Sequence, residues 1–167
     1  MLTRESLNPA EWRDVRDTPH HVIIAVSVSG GSPFDEMLER RAGLQAVVDA
    51  MHSTHPLLRD IAVAENIMKA QTDVRDWYYT LPESQRTPTV LRNKALESMG
   101  RALDAISAHG APEDRLHYVE FIVALANRVA KAAREGDVLG VGGELVSTEE
   151  RGFIDRLRGV RWVSWSV

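Results

Sequence analysis

The chain has 167 residues, 44% of them hydrophobic and 26% charged, which is the composition of an ordinary soluble globular protein. This composition excludes a disordered chain and a collagen-like repeat, and the lack of cysteine excludes a disulfide framework, a thiolate metal site and a cysteine nucleophile. The formal net charge of −4 makes nucleic acid and anionic membranes poor electrostatic partners for the chain as a whole.

The sequence also carries signals about compartment and source. It begins without a basic segment followed by an apolar one, and no window approaches the length of apolar sequence that a membrane span needs. We therefore expect a cytoplasmic protein. Of the 20 basic residues 17 are Arg, and alanine is abundant, so the composition is bacterial-like and typical of a GC-rich genome.

Two Pro-containing starts mark the beginning of the chain. Asn8-Pro9 predicts a first helix that ends near Arg16, and Thr18-Pro19 predicts a second helix that ends near Ser29. The second segment is rich in Val and Ile, whose propensity favours a strand. The cap and the proline at its first position favour a buried helix instead.

The next two predicted helices begin at Pro33 and Pro56. We expect them to form an antiparallel pair that extends to about Ala70, followed by a long connection over 71–86 that could contain a helical turn. Each has apolar residues at helical spacing that are expected to face inward: Phe34, Met37, Leu38, Leu44, Val47, Val48 and Met51 in the first, and Leu57, Leu58, Ile61, Ala64, Ile67 and Met68 in the second.

The second half of the chain predicts three more helices. One runs over 88–110 and the next over 112–136, each from a proline to a glycine, and the two should form an antiparallel hairpin. A capping box at 147–150 opens a last short helix. The chain is therefore expected to be an all-α bundle of six or seven helices in a single domain over 1–167, with no confident strand.

One set of residues has the composition of a metal site. Helical bundles hold metal ions with His and carboxylate side chains three residues apart, because that spacing places both on one face. The sequence offers two such pairs as candidate ligands of a divalent metal: Asp49 with His52, and His117 with Glu120. The alternative is that these are solvated helix ends, with Glu120 on the apolar stripe and salt-bridged to Arg92 or Arg128. His55 precedes Pro56 at a helix break, so it need not point with His52.

His20 and His21 are adjacent, so on a helix their side chains diverge by about 100°. At most one of them can join any site. We expect one of the two to face the core with a satisfied ring nitrogen.

The end of the chain, residues 160–167, is predicted to be a short tail that combines Arg and Trp. Such a mixture is enriched at protein interfaces. The candidate partner-binding residues are Arg158, Arg161, Trp162 and Trp165. The alternative is that the Trp rings fold back and close the open end of the bundle.

The sequence predicts a binding protein more than a catalyst. Our first hypothesis is a small helical interaction module that self-associates or binds a protein partner through its tail. The alternative is a metal-binding helical bundle, which could be enzymatic. No complete catalytic motif is present, so enzymatic activity stays open, and no cofactor is required by the sequence.

Overall fold

The computed structural model describes residues 1–28, 33–135 and 146–160. This part of the chain contains seven α-helices, three short 3-10 turns (Arg4–Ser6, Ala50–His52 and Glu83–Gln85) and no strand, so the predicted all-α class is confirmed. The helices are α1 (Pro9–Ser27), α2 (Pro33–Asp49), α3 (Pro56–Ile61), α4 (Ala64–Thr80), α5 (Pro88–His109), α6 (Pro112–Glu135) and α7 (Thr148–Gly159). None of these helices is long and apolar enough to cross a lipid bilayer.

Side-chain caps fix where α1 and α7 begin. The Asn8 side chain accepts hydrogen bonds from the N–H groups of Ala10 and Glu11, while the Glu11 carboxylate accepts one from the Asn8 N–H. Ser147 and Glu150 form the same reciprocal box at the start of α7, as the sequence predicts. Each box satisfies N–H groups that the first helical turn leaves without a partner.

Helix α1 lies at the centre of the bundle, with α2, α4, α5 and α6 packed around it. Its apolar residues are buried on several sides, which explains a β-branched sequence in a helix and confirms the helical prediction: Val15, Val22, Ala25 and Val26. The order of contacts shows that α4 runs parallel and α5 antiparallel to α1: Arg16 with Asp73 and His21 with Trp77 for α4, and Glu11 with His109 and Asp14 with Arg101 for α5.

The prediction of two helices before residue 28 is wrong, because α1 continues through Pro19. Thr18 does not cap a new helix; its hydroxyl donates a 2.6 Å hydrogen bond to the carbonyl of Asp14 in the preceding turn. Pro19 has no N–H to offer to the carbonyl of Val15, which would normally be left without a donor. The Tyr118 hydroxyl of α6 donates to that carbonyl instead, at 2.7 Å.

The region between residues 56 and 86 also differs from the prediction. The single helix expected from Pro56 is split into α3 and α4, and the side-chain amide of Asn66 donates to the carbonyl of Asp60 at the end of α3. Helix α4 then continues to Thr80 through residues that the sequence assigned to a connection. Trp77 packs against the core at helical spacing from the buried Val74 and Ala70, so the aromatic run is part of an amphipathic helix.

Helix α2 packs mainly against α6 and α1, so the expected antiparallel pairing of α2 with α4 is not observed. The approach is close at Gly43, where an added Cβ would lie 2.6 Å from Ile23 Cγ1 and 2.8 Å from Val129 Cγ2. Three methionines that the periodicity placed inward are exposed instead: Met37, Met51 and Met68. Met side chains are long and flexible, so helical spacing alone does not fix their burial.

Helices α5 and α6 contact each other near the turn that joins them, as the predicted hairpin requires. Arg115 of α6 donates hydrogen bonds to the carbonyl of Leu103 at 3.1 Å and to the hydroxyl of Ser107 at 2.8 Å. These contacts hold the start of α6 against the last turns of α5.

The carboxylate of Asp114, in the first turn of α6, ties three segments together. It accepts hydrogen bonds from the backbone N–H groups of Leu2 and Ala111, and its Oδ1 lies 2.6 Å from Nε2 of His55. Burial opposes the charge of Asp114, but these hydrogen bonds outweigh it and hold the pKa of Asp114 below its usual value. The start of the chain is thereby fixed to the base of α6.

Candidate functional site

The first pair of predicted metal ligands lies at the end of α2. Asp49 accepts a 2.6 Å hydrogen bond from Arg128, and this bond, followed by one from Gln45, lowers the pKa of Asp49. His52 is exposed on the 3-10 turn that follows. Asp49 therefore already has a cationic partner. This partner, Arg128, is one of the two arginines that the sequence analysis considered as partners of Glu120.

The second pair lies on the solvent face of α6. Nδ1 of His117 is 3.8 Å from Oε2 of Glu120, whose side chain is 63% exposed, so the expectation that Glu120 lies on the apolar stripe is wrong. Arg128, which holds Asp49, is about 12 Å further along the helix. Within residues 1–28, 33–135 and 146–160, no three His, Asp or Glu side chains are arranged to hold a metal ion. The metal hypothesis has no geometric support there.

His55 is buried whereas His52 is exposed, so the two side chains do not form a common site. The His55 residue is 4% exposed and bonded to Asp114. The ring of His55 lies 5.2 Å from the ring of His117. His55 therefore belongs to the packing at the base of α6.

Most of the predicted partner-binding tail lies outside the described residues. This applies to Arg161, Trp162 and Trp165. Arg158 is described: it is exposed near the end of α7 and pairs with Asp155 at 3.3 Å. Self-association through the tail stays a prediction.

Both histidines of the adjacent pair are buried, although the sequence led us to expect one. His20 is 5% exposed and His21 is 8% exposed. Nε2 of His20 and Nδ1 of His21 have no hydrogen-bond partner, so the expected satisfied ring nitrogen is not observed for these atoms. Burial is the main reason that the pKa of His20 falls to about 4 and that of His21 to about 3. Both rings are therefore neutral at physiological pH.

His21 lines a cleft of about 940 Å³. Helix α1 forms its floor, and α4 and α5 form its walls. The cleft forms because α4 and α5 each pack against α1. The cleft is lined by charged and aromatic side chains from all three helices, so it combines binding groups that are far apart in the sequence.

The middle of the cleft contains three cations and three carboxylates that neutralise one another. The pairs are Arg16 with Asp17 and Asp73, Lys69 with Asp73, and Arg101 with Asp14. Paired charges of this kind have little attraction left for a ligand of either sign.

Asp17 is the most deeply buried carboxylate of this group, with 6% of its surface exposed. Burial raises the pKa of Asp17 to about 6, because the hydrogen bond from Arg16 only partly offsets the loss of solvation. Asp17 therefore changes its charge close to neutral pH. Such carboxyl groups are concentrated at functional sites.

The His21 end of the cleft consists of His21, Trp77 and Lys94. The His21 ring meets Trp77 edge to face, with ring centroids 5.0 Å apart. The Lys94 ammonium lies 5.5 Å from the Trp77 centroid and forms no ion pair with a described carboxylate. After burial, Lys94 is the first of the neighbouring groups that lower the pKa of His21. Asp76 also lines the cleft, and its carboxylate pairs with Arg75 at 3.3 Å.

The Trp12 end of the cleft consists of Trp12, Arg4 and Arg13. The Arg4 guanidinium lies 5.7 Å from the centre of the Trp12 ring, and both Arg4 and Arg13 are exposed. Neither arginine forms an ion pair with any carboxylate of the described chain. Glu5 also lines this end, where its carboxylate is near Arg4. A second carboxylate, that of Asp60, accepts a 2.9 Å hydrogen bond from the backbone N–H of Arg4. The two guanidinium groups nevertheless have no ion-pair partner among the described residues.

Sequence reasoning missed this cleft because its residues come from separate helices and share no spacing. His21 was noticed, but Lys94 and Trp77 were not connected with it. One signal was available: only three of the 20 basic residues are Lys, and two of these, Lys69 and Lys94, line the cleft.

Comparison of the chain with protein-family models, with curated proteins and with solved structures gives no match.

Proposed function

We propose that the protein binds a small anionic molecule in the cleft between α1, α4 and α5, with the anionic group at the His21 end. The observation that carries this proposal is the Lys94 ammonium, which forms no ion pair with a carboxylate of the described residues and lies beside the His21 ring that lines the same cleft.

The protonation of His21 supports an anion rather than a cation as the ligand. A neutral imidazole has a single N–H, and a buried N–H without an acceptor is rarer than an unbonded acceptor. We therefore assign the proton to Nε2, which leaves the buried Nδ1 as the unbonded acceptor. The Nε2–H group then donates to an anion, and Lys94 supplies the neutralising charge.

Indole NMR signals test the proposal directly. The chain has four Trp residues, of which Trp12 and Trp77 line the cleft. Benzoate and inorganic phosphate are the probes. We expect a saturable shift of the Trp77 indole N–H signal with at least one of them.

The matched variants are Lys94→Met and Lys131→Met. A hydrogen bond to a charged group contributes on the order of 1.5–3 kcal/mol, so K94M should weaken anion binding by about tenfold or more. K131M should bind as the wild type does, because Lys131 is exposed on α6, away from the cleft. If neither anion shifts Trp77, or if K94M binds as tightly as the wild type, the proposal is wrong.

A second variant tests the role of His21 itself. His21→Phe keeps a ring in the same place and removes the N–H donor. We expect H21F to retain its helical circular dichroism and to lose affinity for the anion by about tenfold. A folded H21F with wild-type affinity would show that His21 does not contact the ligand.

A further inference from the structure

Some of the cations that line the cleft form ion pairs with carboxylates and others do not, depending on where along the cleft they lie. Those in the middle are paired with carboxylates, and those at the two ends form no ion pair with a carboxylate of the part of the chain that the structure describes. We infer that the ligand is an elongated dianion that lies along the cleft, with one anionic group at the His21 end and the other at the Trp12 end. This inference rests on the proposed function, because it specifies the ligand of the same cleft.

The paired charges in the middle of the cleft neither repel such a ligand nor attract it strongly. Arg16 is held by two carboxylates, Asp17 and Asp73. Arg101 is held by Asp14 at 3.1 Å and by Glu97. A third anionic group placed between the ends would have to displace one of these carboxylates. The central part of the ligand is therefore expected to be uncharged and polar, so that it exchanges hydrogen bonds with the paired side chains.

Each end presents the same combination of groups, an aromatic ring with a cation above it. At the His21 end the cation is Lys94, over Trp77. At the Trp12 end it is Arg4, over Trp12, with Arg13 beside the same opening. A cation over an aromatic face is attracted by the ring but keeps its N–H donors for another partner. Both ends can therefore donate charge-assisted hydrogen bonds without breaking an ion pair.

The length of the ligand follows from the helix that forms the floor. Trp12 and His21 are nine residues, or two and a half turns, apart on α1, so they are about 14 Å apart along the axis and lie on opposite sides of it. The anionic groups of the ligand should therefore be separated by more than about 14 Å. A compact dianion, whose charges are much closer together, can reach only one end at a time.

Two anionic groups on one molecule bind more tightly than either alone, because the second contact is made at a high effective concentration. The gain is lost when the linker is too short to span both cations and declines again when it is too long. Affinity as a function of linker length therefore distinguishes a bridging dianion from an anion held at one end.

The probes are oligo(ethylene glycol) dicarboxylates of increasing length, from diacids too short to reach both ends to diacids longer than the cleft. Each is compared with its own monomethyl ester, which has the same linker and one charge fewer. Isothermal titration calorimetry measures the binding. We expect the diacid of matching length to bind at least about tenfold more tightly than its monoester, with weaker binding on both sides of that length.

Two variants assign the ends. Lys94→Met and Arg13→Met should each reduce the advantage of the diacid over the monoester to less than about threefold, because one end no longer holds a charge. Arg40→Met is the control: Arg40 is exposed on α2 and pairs with Glu36, so this variant should keep the full advantage.

The outcomes separate this inference from the proposed function. If monoesters bind and are weakened by K94M, but no diacid binds more tightly than its monoester, the dianion inference is wrong and the anion site stands. If neither diacids nor monoesters bind, and Trp77 does not respond to benzoate or phosphate, both are overturned. A length optimum that survives Arg13→Met and Arg4→Met would also overturn the assignment of the second end.

Discussion

The hydroxyl of Tyr118 donates a 2.7 Å hydrogen bond to the main-chain carbonyl of Val15 in the middle of the bundle. That carbonyl lacks its usual intrahelical donor because residue 19 is proline. Tyr118 is fully buried, and burial raises the pKa of its hydroxyl, so the hydroxyl stays protonated and remains a donor. A side chain of α6 thus completes the hydrogen bonding of α1, the helix that carries His21 and Asp17.

A double-mutant cycle tests whether Tyr118 compensates for the missing N–H of Pro19. Tyr118→Phe leaves the Val15 carbonyl buried without a donor and should destabilise the protein by about 1–3 kcal/mol. In a Pro19→Ala background residue 19 regains an N–H that can donate to the same carbonyl, so Y118F should be less harmful there. The free energy of unfolding in urea measures both, and we expect a coupling of about 1 kcal/mol.

The control is Tyr79→Phe, because the Tyr79 side chain is 64% exposed. It should change the unfolding free energy by less than about 0.5 kcal/mol. Equal effects of Y118F in the wild type and in P19A would show that Tyr118 and Pro19 act independently.

The buried histidines predict that the protein loses stability in mild acid. Their folded pKa values, about 4 for His20 and about 3 for His21, lie below the unfolded value of 6.5, so the unfolded chain takes up protons first as the pH falls. Between pH 6.5 and about 4 each histidine should lower the unfolding free energy by about 1.4 kcal/mol per pH unit. Asp17 acts in the opposite direction below about pH 6, because its folded pKa is raised, and it should cancel the contribution of one histidine there.

His21→Phe tests this dependence. It should reduce the acid slope of the unfolding free energy by about 1.4 kcal/mol per pH unit between pH 6 and 4. His52→Gln is the control, since His52 is exposed to solvent, and it should leave the slope as it is. If H21F keeps the wild-type slope, His21 is not protonated preferentially on unfolding. H21F should therefore lose less stability in acid than the wild type while binding the anion more weakly.

Asp114→Asn should destabilise the base of α6. The substitution removes the charge from a buried group that contacts Leu2, Ala111 and His55, and it should lower the unfolding free energy by about 2–3 kcal/mol at pH 7. Because the folded pKa of Asp114 is lowered, the difference from the wild type should vanish as the pH falls through that value. Asp49→Asn, at an exposed carboxylate, should have a much smaller effect. Thermal unfolding across pH measures all three proteins.

Two glycines in helices predict opposite effects of the same substitution. Gly43→Ala places a Cβ within 3.0 Å of Ile23 and Val129, so it should destabilise the protein by about 1–3 kcal/mol through overpacking. Gly100→Ala meets no atom within 4 Å and lies inside α5, so it should stabilise the protein by about 0.5–1 kcal/mol through helix propensity. Chemical denaturation of the two variants checks the sign. A stable G43A would show that α2 can move away from α1 and α6.

The helix starts were predictable from the sequence where local chemistry decides them. Asn8 and Ser147 cap their helices with their own side chains, and these contacts involve residues only three positions apart. Thr18 has the same sequence signature but is not a helix start, because the donor that makes a continuous helix possible is Tyr118, 103 residues away. No local pattern contains that information.

The site was less predictable than the fold. Asp49, His52, His117 and Glu120 have the spacing of ligand pairs, but spacing does not say which side of a helix faces its neighbours, and their side chains point to solvent or to Arg128. The cleft depends on where α4 and α5 lie relative to α1, which is a property of tertiary packing. The sequence predicts that one of His20 and His21 is buried, but it gives no indication that Lys94 lies near His21.

The central position of α1 has a consequence for how the protein is made. This helix leaves the ribosome before α5 and α6, which cover it and follow later in the chain. Val129, which packs beside Ile23 and Gly43, is synthesised roughly 100 residues after α1, a delay of about 5–20 s at ordinary translation rates. During that interval the Val- and Ile-rich segment has no native cover from those helices. The nascent chain should therefore depend on chaperone protection until α6 has emerged, and the bundle should close only after that point.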